Sequence, residues 1–168
     1  VSGKDTALAL SCRDLIVKIG RTSVYPLCVA MESVDAATQQ TICGMLTEIG
    51  YEHAVPALRG LVEDTSNTMD VREAAEVALR SLGANTSVSL SATWADLSVS
   101  HFKGFASLLP YPADAENMIW AYDDFTGLQG TPVATEIYHS VRAMQTAARS
   151  VELDPNNDYG VALYAAAN

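Results

Sequence analysis

Between Ala54 and Gly83 the apolar residues fall at helical spacing twice, with a polar break between the two runs. Val55, Leu58, Leu61 and Val62 share one side of a first helix, and Asp64-Thr65-Ser66-Asn67-Thr68 interrupts the pattern. Val71, Ala74, Ala75, Ala78, Leu79 and Leu82 then form the stripe of a second helix. Asp70 is the expected cap of that helix, with Glu73 three residues on to complete a capping box, and Gly83 supplies a left-handed stop.

The same arrangement recurs upstream. Ile19-Gly20, Ile49-Gly50 and Leu82-Gly83 are apolar-glycine stops spaced 30 and 33 residues apart. "SVYPL" (23–27) and "AVPAL" (54–58) follow the first two stops, each opening a helix with Pro26 or Pro56 near its first turn, where a missing N–H costs nothing. The copy over Ser23–Gly50 keeps Pro26, Leu27, Asp35 and an Ile42, Leu46, Ile49 stripe, whereas Asp5–Gly20 reads as the second helix of a pair without its first. One such pair cannot bury both apolar faces alone; stacking at a fixed offset buries a continuous core.

"AVPALRGLVED…DVREAAEVALRSLG" resembles a HEAT repeat, especially the short bacterial type also found in phycobilin lyases. The residues that carry the resemblance are Pro56-x-Leu58, Asp64 at the close of the first helix, Val71-Arg72 at the start of the second, and the Ala75, Leu79, Leu82 ladder. It implies an α-solenoid of antiparallel helix pairs, with Asp64 and Arg72 holding turns and neighbouring repeats together.

The second half, residues 84–168, is read as a helical subdomain with a hairpin at about 117–133. "ANTSVSLSAT" is a connector, with a short strand over Ser87–Trp94 as the rival reading, and Trp94, Leu97, Phe105, Leu108 and Leu109 suit a helix over Ala92–Leu109. Met118–Tyr122 and Leu128–Val133 are the expected hairpin arms around residues 123–127; "WAYDDFTG" is similar to a blade motif of quinoprotein-type β-propellers, but one copy builds no propeller. Pro132–Ser150 is a helix with Val133, Ile137, Val141, Met144 and Ala148 along one side, and "SVELDPNNDYGVALYAAA" resembles a tetratricopeptide junction. The missing initiator Met and the end of the chain within an amphipathic run predict a piece of a longer protein, with other domains of the same parent chain as neighbours.

Composition narrows the ligands. Apolar residues make up 49% and charged residues 18% of 168 residues, enough for a folded core, and no apolar run reaches the roughly 18–20 residues of a bilayer crossing. Seven basic residues meet eleven acidic ones in residues 1–83, and three meet nine in residues 84–168, so both halves are acidic. Such a surface repels phosphate backbones and anionic lipid, which excludes nucleic acid and membrane as expected partners. Cys12, Cys28 and Cys43 fall one per helix, without C-x-x-C spacing, and are read as small core side chains. The compartment stays open, with the cytoplasm favoured.

No site motif survives inspection, and no catalytic residue, cofactor or metal is expected. Glu136-x-x-His139 lacks the second E-x-x-H of a di-iron centre, and His53 and His101 have no companions at ligand spacing. Asp154-x-Asn156-x-Asp158 has Tyr159 and Ala165 where a calcium loop needs Gly and Glu, so it is a turn and helix cap. Gly127-Leu-Gln-Gly130 has acidic neighbours, and Asn85-Thr-Ser is a glycosylation sequon by pattern only. Trp120, Tyr122, Asp123 and Asp124, with Asp114 and Glu116, form an aromatic and acidic concentration able to hold a cationic or sugar-like ligand if exposed together; the alternative is a packed hairpin with a solvated turn.

The expected function is that of a non-enzymatic scaffold or protein-interaction segment of a larger bacterial protein, with Arg72, Glu73, Glu76 and Arg80 on the ridge that meets a protein partner. A chromophore-handling or small-ligand enzyme of the lyase type, which requires an apolar groove with converging polar groups, and a purely structural spacer are the alternatives.

Overall fold

The computed structural model describes residues 3–167, with side chains from Ala7 onward. The three glycine stops all take a positive φ, Gly20 at 70°, Gly50 at 76° and Gly83 at 65°, which an L side chain rarely adopts. They divide the front of the chain into α1 (Gly3–Ile19), α2 (Arg21–Met31), α3 (Ala36–Ile49), α4 (Val55–Glu63) and α5 (Met69–Ser81). Asp35 caps α3, its carboxylate accepting from Thr38 N at 2.9 Å. α5 begins one residue earlier than Asp70 would set it: Thr68 is the cap, accepting from Val71 N at 3.4 Å. α2 also starts early, immediately after Gly20, so Pro26 lies inside the helix rather than in its first turn; Pro56 does open α4.

The apolar stripes meet as their spacing requires. α3 packs between α1 and α5, and α4 packs on α5. Val24, Met31, Cys43, Leu46, Leu58, Val71, Ala75 and Ala78 form one buried cluster, with Ala75 and Ala78 small enough for α5 to approach two neighbours. Cys43 joins this core and Cys28 is half-buried, but Cys12 is exposed on α1, the outermost helix of the front half.

From residue 84 on, α6 (Leu90–Phe102), β1 (Glu116–Asp123), β2 (Gly127–Ala134), α7 (Thr135–Leu153) and α8 (Asp158–Ala167) follow. Residues 90–94 are helical and not a strand because Ser89 caps them, accepting from Ala92 N at 3.1 Å; α6 ends at Phe102, before the left-handed Gly104. The hairpin forms with Trp120 opposite Gly130 and Met118 opposite Pro132, which keeps Pro132 in a strand and delays α7 to Thr135. Asp123 holds the turn, accepting from Phe125 N, Thr126 N and Thr126 Oγ1, and these bonds lower its pKa.

The buried face of α7 is Tyr138, Arg142, Ala143, Thr146, Ala147 and Ser150, and Ile137 of the expected stripe is half exposed. Small residues explain the rotation. Ser91, Ala95 and Ser98 of α6 face Ala143, Ala147 and Ser150, a seam that brings the two backbones within reach of side-chain hydroxyls. Ser98 Oγ donates to Ala143 O at 2.8 Å, while Ser91 Oγ donates to Ser150 O and Ser150 Oγ donates back to Ser91 O, both at 2.8 Å. Asn157 completes the knot, donating to Ser91 Oγ at 2.8 Å and accepting from Gly160 N as the cap of α8. Asp154 accepts from Asn156 N, so the 154–158 stretch is the expected turn and cap.

α8 fits here only because Gly160 has no side chain: a Cβ would lie 2.5 Å from Ser150 Oγ. Gly160→Ala is expected to lose about 1–3 kcal/mol by overpacking, despite alanine's better helix propensity. A urea titration measures this, and an unchanged or higher midpoint would mean that α8 is not seated on Ser150.

The halves are bonded across residue 83. Arg59, buried on α4, donates to Thr93 Oγ1 at 2.6 Å and pairs with Glu63 at 2.5 Å; Tyr25 OH donates to Trp120 O at 3.1 Å; Arg21 donates to Ala106 O at 2.8 Å.

Candidate functional site

α7 carries Tyr138, Arg142, Gln145 and Arg149 at helical spacing on the side that faces α2 and the hairpin. Where this face meets α2, α6 and β1 the chain leaves a cavity of about 310 Å³, because the bulky rings of Tyr25, Trp94, Trp120 and Tyr138 hold the elements apart. Cys28, Ala57, Leu97 and Leu108 give further apolar wall, and His53 and His101 add two imidazoles.

Arg142 dominates the electrostatics. Its side chain is only 8% exposed. One face of the guanidinium lies on the Tyr25 ring, Cζ 3.5 Å from the centroid, and Nη1 donates to Gln145 Oε1 at 2.9 Å. Gln145 is held in turn by Tyr25, whose hydroxyl also approaches Oε1 at 3.4 Å. Nε is buried with no acceptor, and among the described residues no carboxylate lies within 4.0 Å of the guanidinium. A buried cation is ordinarily paired, because desolvation costs several kcal/mol. The other cations of the cavity are already engaged: Arg21 by the Ala106 carbonyl and Arg149 by Glu152 at 3.3 Å.

This charge and the burial set the protonation of the surroundings. His101, 3% exposed, has its pKa pushed down to about 2 by burial, then by Arg142, His139 and His53. His53 is pushed down to about 4 by burial, then by Arg142 and Arg21. Both are neutral at pH 7. Burial raises Tyr138 and Cys28 to about 12 in spite of Arg142, so hydroxyl and thiol keep their protons. None of these groups is poised near neutrality for proton transfer; they are fixed hydrogen-bonding groups. His101 and His139 face each other, Nδ1 to Nδ1 at 3.3 Å, one donating and one accepting, so His139 of the E-x-x-H pair finds a companion that sequence spacing could not show.

Of the eight positions expected to meet a partner, Trp120 alone lines the cavity; His53, His101 and Cys28, which the sequence offered only as unaccompanied ligands or core side chains, line it as well. The Trp120 ring lies across the opposite strand at Gly130, where a Cβ would come within 3.1 Å of it. Tyr122 is half-buried on the same strand, Asp124 is exposed, and Asp123 accepts the bonds that close the turn. The cavity that Trp120 joins has Arg21, Arg142 and Arg149 in its wall. Arg72, Glu73, Glu76 and Arg80 lie on α5, away from the cavity: the last three are exposed, with Arg80 and Glu76 paired at 3.4 Å, and Arg72 is half-buried with Nε lacking an acceptor. Asp64 accepts from Ser66 N at 2.8 Å, in the turn that follows α4. Among the described residues no cluster of three metal-ligating side chains occurs, and no helix is long and apolar enough to cross a membrane.

Compared with family models, with curated proteins and with solved structures, the chain matches none.

Proposed function

We propose that the protein is a non-enzymatic binding segment, in which HEAT-like helix pairs stacked as a short α-solenoid hold a fixed pocket for a small anionic molecule. The solenoid reading is supported by the recurrent glycine stops and by the packing of α3 between α1 and α5. The single observation that carries the ligand reading is Arg142, buried, stacked on Tyr25 and without a carboxylate partner, at the wall of a cavity of about 310 Å³. A bound anion supplies the missing countercharge. The exposed Glu73, Glu76 and Arg80 remain the face offered to a protein partner, with no part in the pocket.

The cavity is at the small end of the range for ligand sites, which fits a molecule of one or two rings better than the tetrapyrrole of the chromophore-handling alternative. A purely structural spacer has no use for an unneutralised buried cation beside open volume.

The reading is tested by melting the protein with a panel of small carboxylates and phosphates and their neutral amides or alcohols. At least one anion is expected to raise the melting temperature, its neutral counterpart is not, and Arg142→Gln abolishes the response. If no anion raises it, or if Arg142→Gln responds as the parent does, the pocket is not an anion site.

A further inference from the structure

We infer that the pocket's ligand is an aromatic monocarboxylate, a flat ring of one or two cycles bearing a single carboxylate that pairs with the guanidinium of Arg142; this rests on the anion-binding reading above. Three observations select that class.

The first is charge. Arg149 is paired with Glu152 and Arg142 has no carboxylate partner among the described residues; Arg21 gives one bond to the neutral Ala106 carbonyl and keeps its charge, which is set against that of Glu32 in the same wall and leaves one net positive charge. Glu32 stands at the cavity wall, where it opposes a second negative charge. A monoanion balances the site; a phosphate monoester, near −2 at pH 7, overfills it.

The second is shape. One face of the guanidinium is covered by Tyr25 at 3.5 Å and Nη1 is turned to Gln145, which closes that face and favours a partner in the guanidinium plane. Two oxygens in a plane answer a planar fork, which is the geometry of a carboxylate.

The third is the wall. The chain has two tryptophans, and both Trp94 on α6 and Trp120 on β1 line this cavity, together with Tyr25 and Tyr138. Aromatic walls favour stacked or edge-on rings over a flexible alkyl chain. The neutral imidazoles of His53 and His101 offer hydrogen bonds to an uncharged substituent such as a phenolic hydroxyl or an indole N–H without adding charge.

The test is calorimetric titration of the full chain at pH 7 with 4-hydroxybenzoate and indole-3-acetate. Hexanoate, phenyl phosphate and 4-hydroxybenzamide are the comparators, and tryptophan fluorescence reports the location. At least one aromatic carboxylate is expected to bind at least tenfold more tightly than all three comparators and to change the fluorescence, since both tryptophans border the site. Arg142→Gln is expected to weaken it at least thirtyfold. Leu97→Phe, which narrows the cavity without touching a charge, is expected to weaken it at least fivefold, and it keeps the proposal testable should the Arg142 variant not fold. If hexanoate or phenyl phosphate binds as well as or better than the aromatic carboxylates, and does so through Arg142, the ligand class is overturned and the anion site stands. If none of the anions binds, or if binding is indifferent to both substitutions, the ligand class and the anion site fall together.

Discussion

Between pH 7 and pH 5 the protein is expected to lose up to about 4 kcal/mol of stability. The cause is the pair of histidines at the cavity. Their folded pKa values lie at about 4 for His53 and about 2 for His101, below the ordinary 6.5, so the unfolded chain takes up protons that the folded chain refuses. Their contribution is complete above pH 6.5 and is lost as the pH falls from there towards the folded values, at about 1.4 kcal/mol per pH unit for each histidine. His139, shifted down by burial alone, adds in the same direction. The exposed Asp35, Asp64 and Asp123, held below the usual carboxylate range by hydrogen bonds, destabilise the fold only as the pH falls below about 4, so the two effects separate. Against a total of about 5–15 kcal/mol for a domain, the histidine effect is large. Urea midpoints at pH 7, 6 and 5 measure it, and His101→Gln should flatten the dependence by about half. A midpoint that holds steady from pH 7 to pH 5 would mean that the imidazoles are not buried and neutral.

The elements that the sequence makes legible are those whose signal is local. An aliphatic residue before glycine marks each of the three stops, and Gly20, Gly50 and Gly83 all take a positive φ, whereas Cys43-Gly44 and Tyr159-Gly160 continue α3 and α8. The hairpin is legible for the same reason: its turn is closed by bonds from Asp123 to residues two and three positions on. The fine position of a cap is less so, since Thr68 and Asp70 are both competent and only packing of Val71 into the core chooses between them.

The face of α7 was not legible, because hydrophobicity is a poor guide where helices approach through small residues. Ile137 and Val141 look like the inner side, but the contact with α6 is made by Ala143, Ala147 and Ser150, whose value lies in what they leave out. Once α7 is rotated by that seam, Tyr138 and Arg142 turn inward, and a cavity appears that no window of sequence contains. Its walls come from positions as far apart as Arg21 and Arg149, and Tyr25 meets Gln145 across 120 residues. An arginine four residues after a tyrosine in an amphipathic helix is ordinarily a solvated charge; here it is buried because α2 brings a second tyrosine over it.

Replacing that arginine by an apolar residue of similar length should therefore separate stability from binding. Arg142→Met removes the cation without opening a large void, and the groups left behind, Gln145 Oε1 and the Tyr25 ring, lose one bond and one stacking partner. Buried charges exchanged for well-packed apolar side chains are commonly neutral to stabilising by about 1–4 kcal/mol, and a charge without a countercharge has the most to gain. The variant is thus expected to melt higher than the parent in the absence of ligand, by a margin in that range, and to show no stabilisation by any anion that stabilises the parent. Its acid sensitivity should also shrink, because Arg142 stands second to burial among the causes that depress both His53 and His101. Calorimetric melting at pH 7 and pH 5, with and without the anion, reads all three effects in one series. A variant that melts lower than the parent would show that Arg142 is held for the fold itself, through Tyr25 and Gln145, and the argument that its unneutralised charge is kept for a ligand would lose its footing.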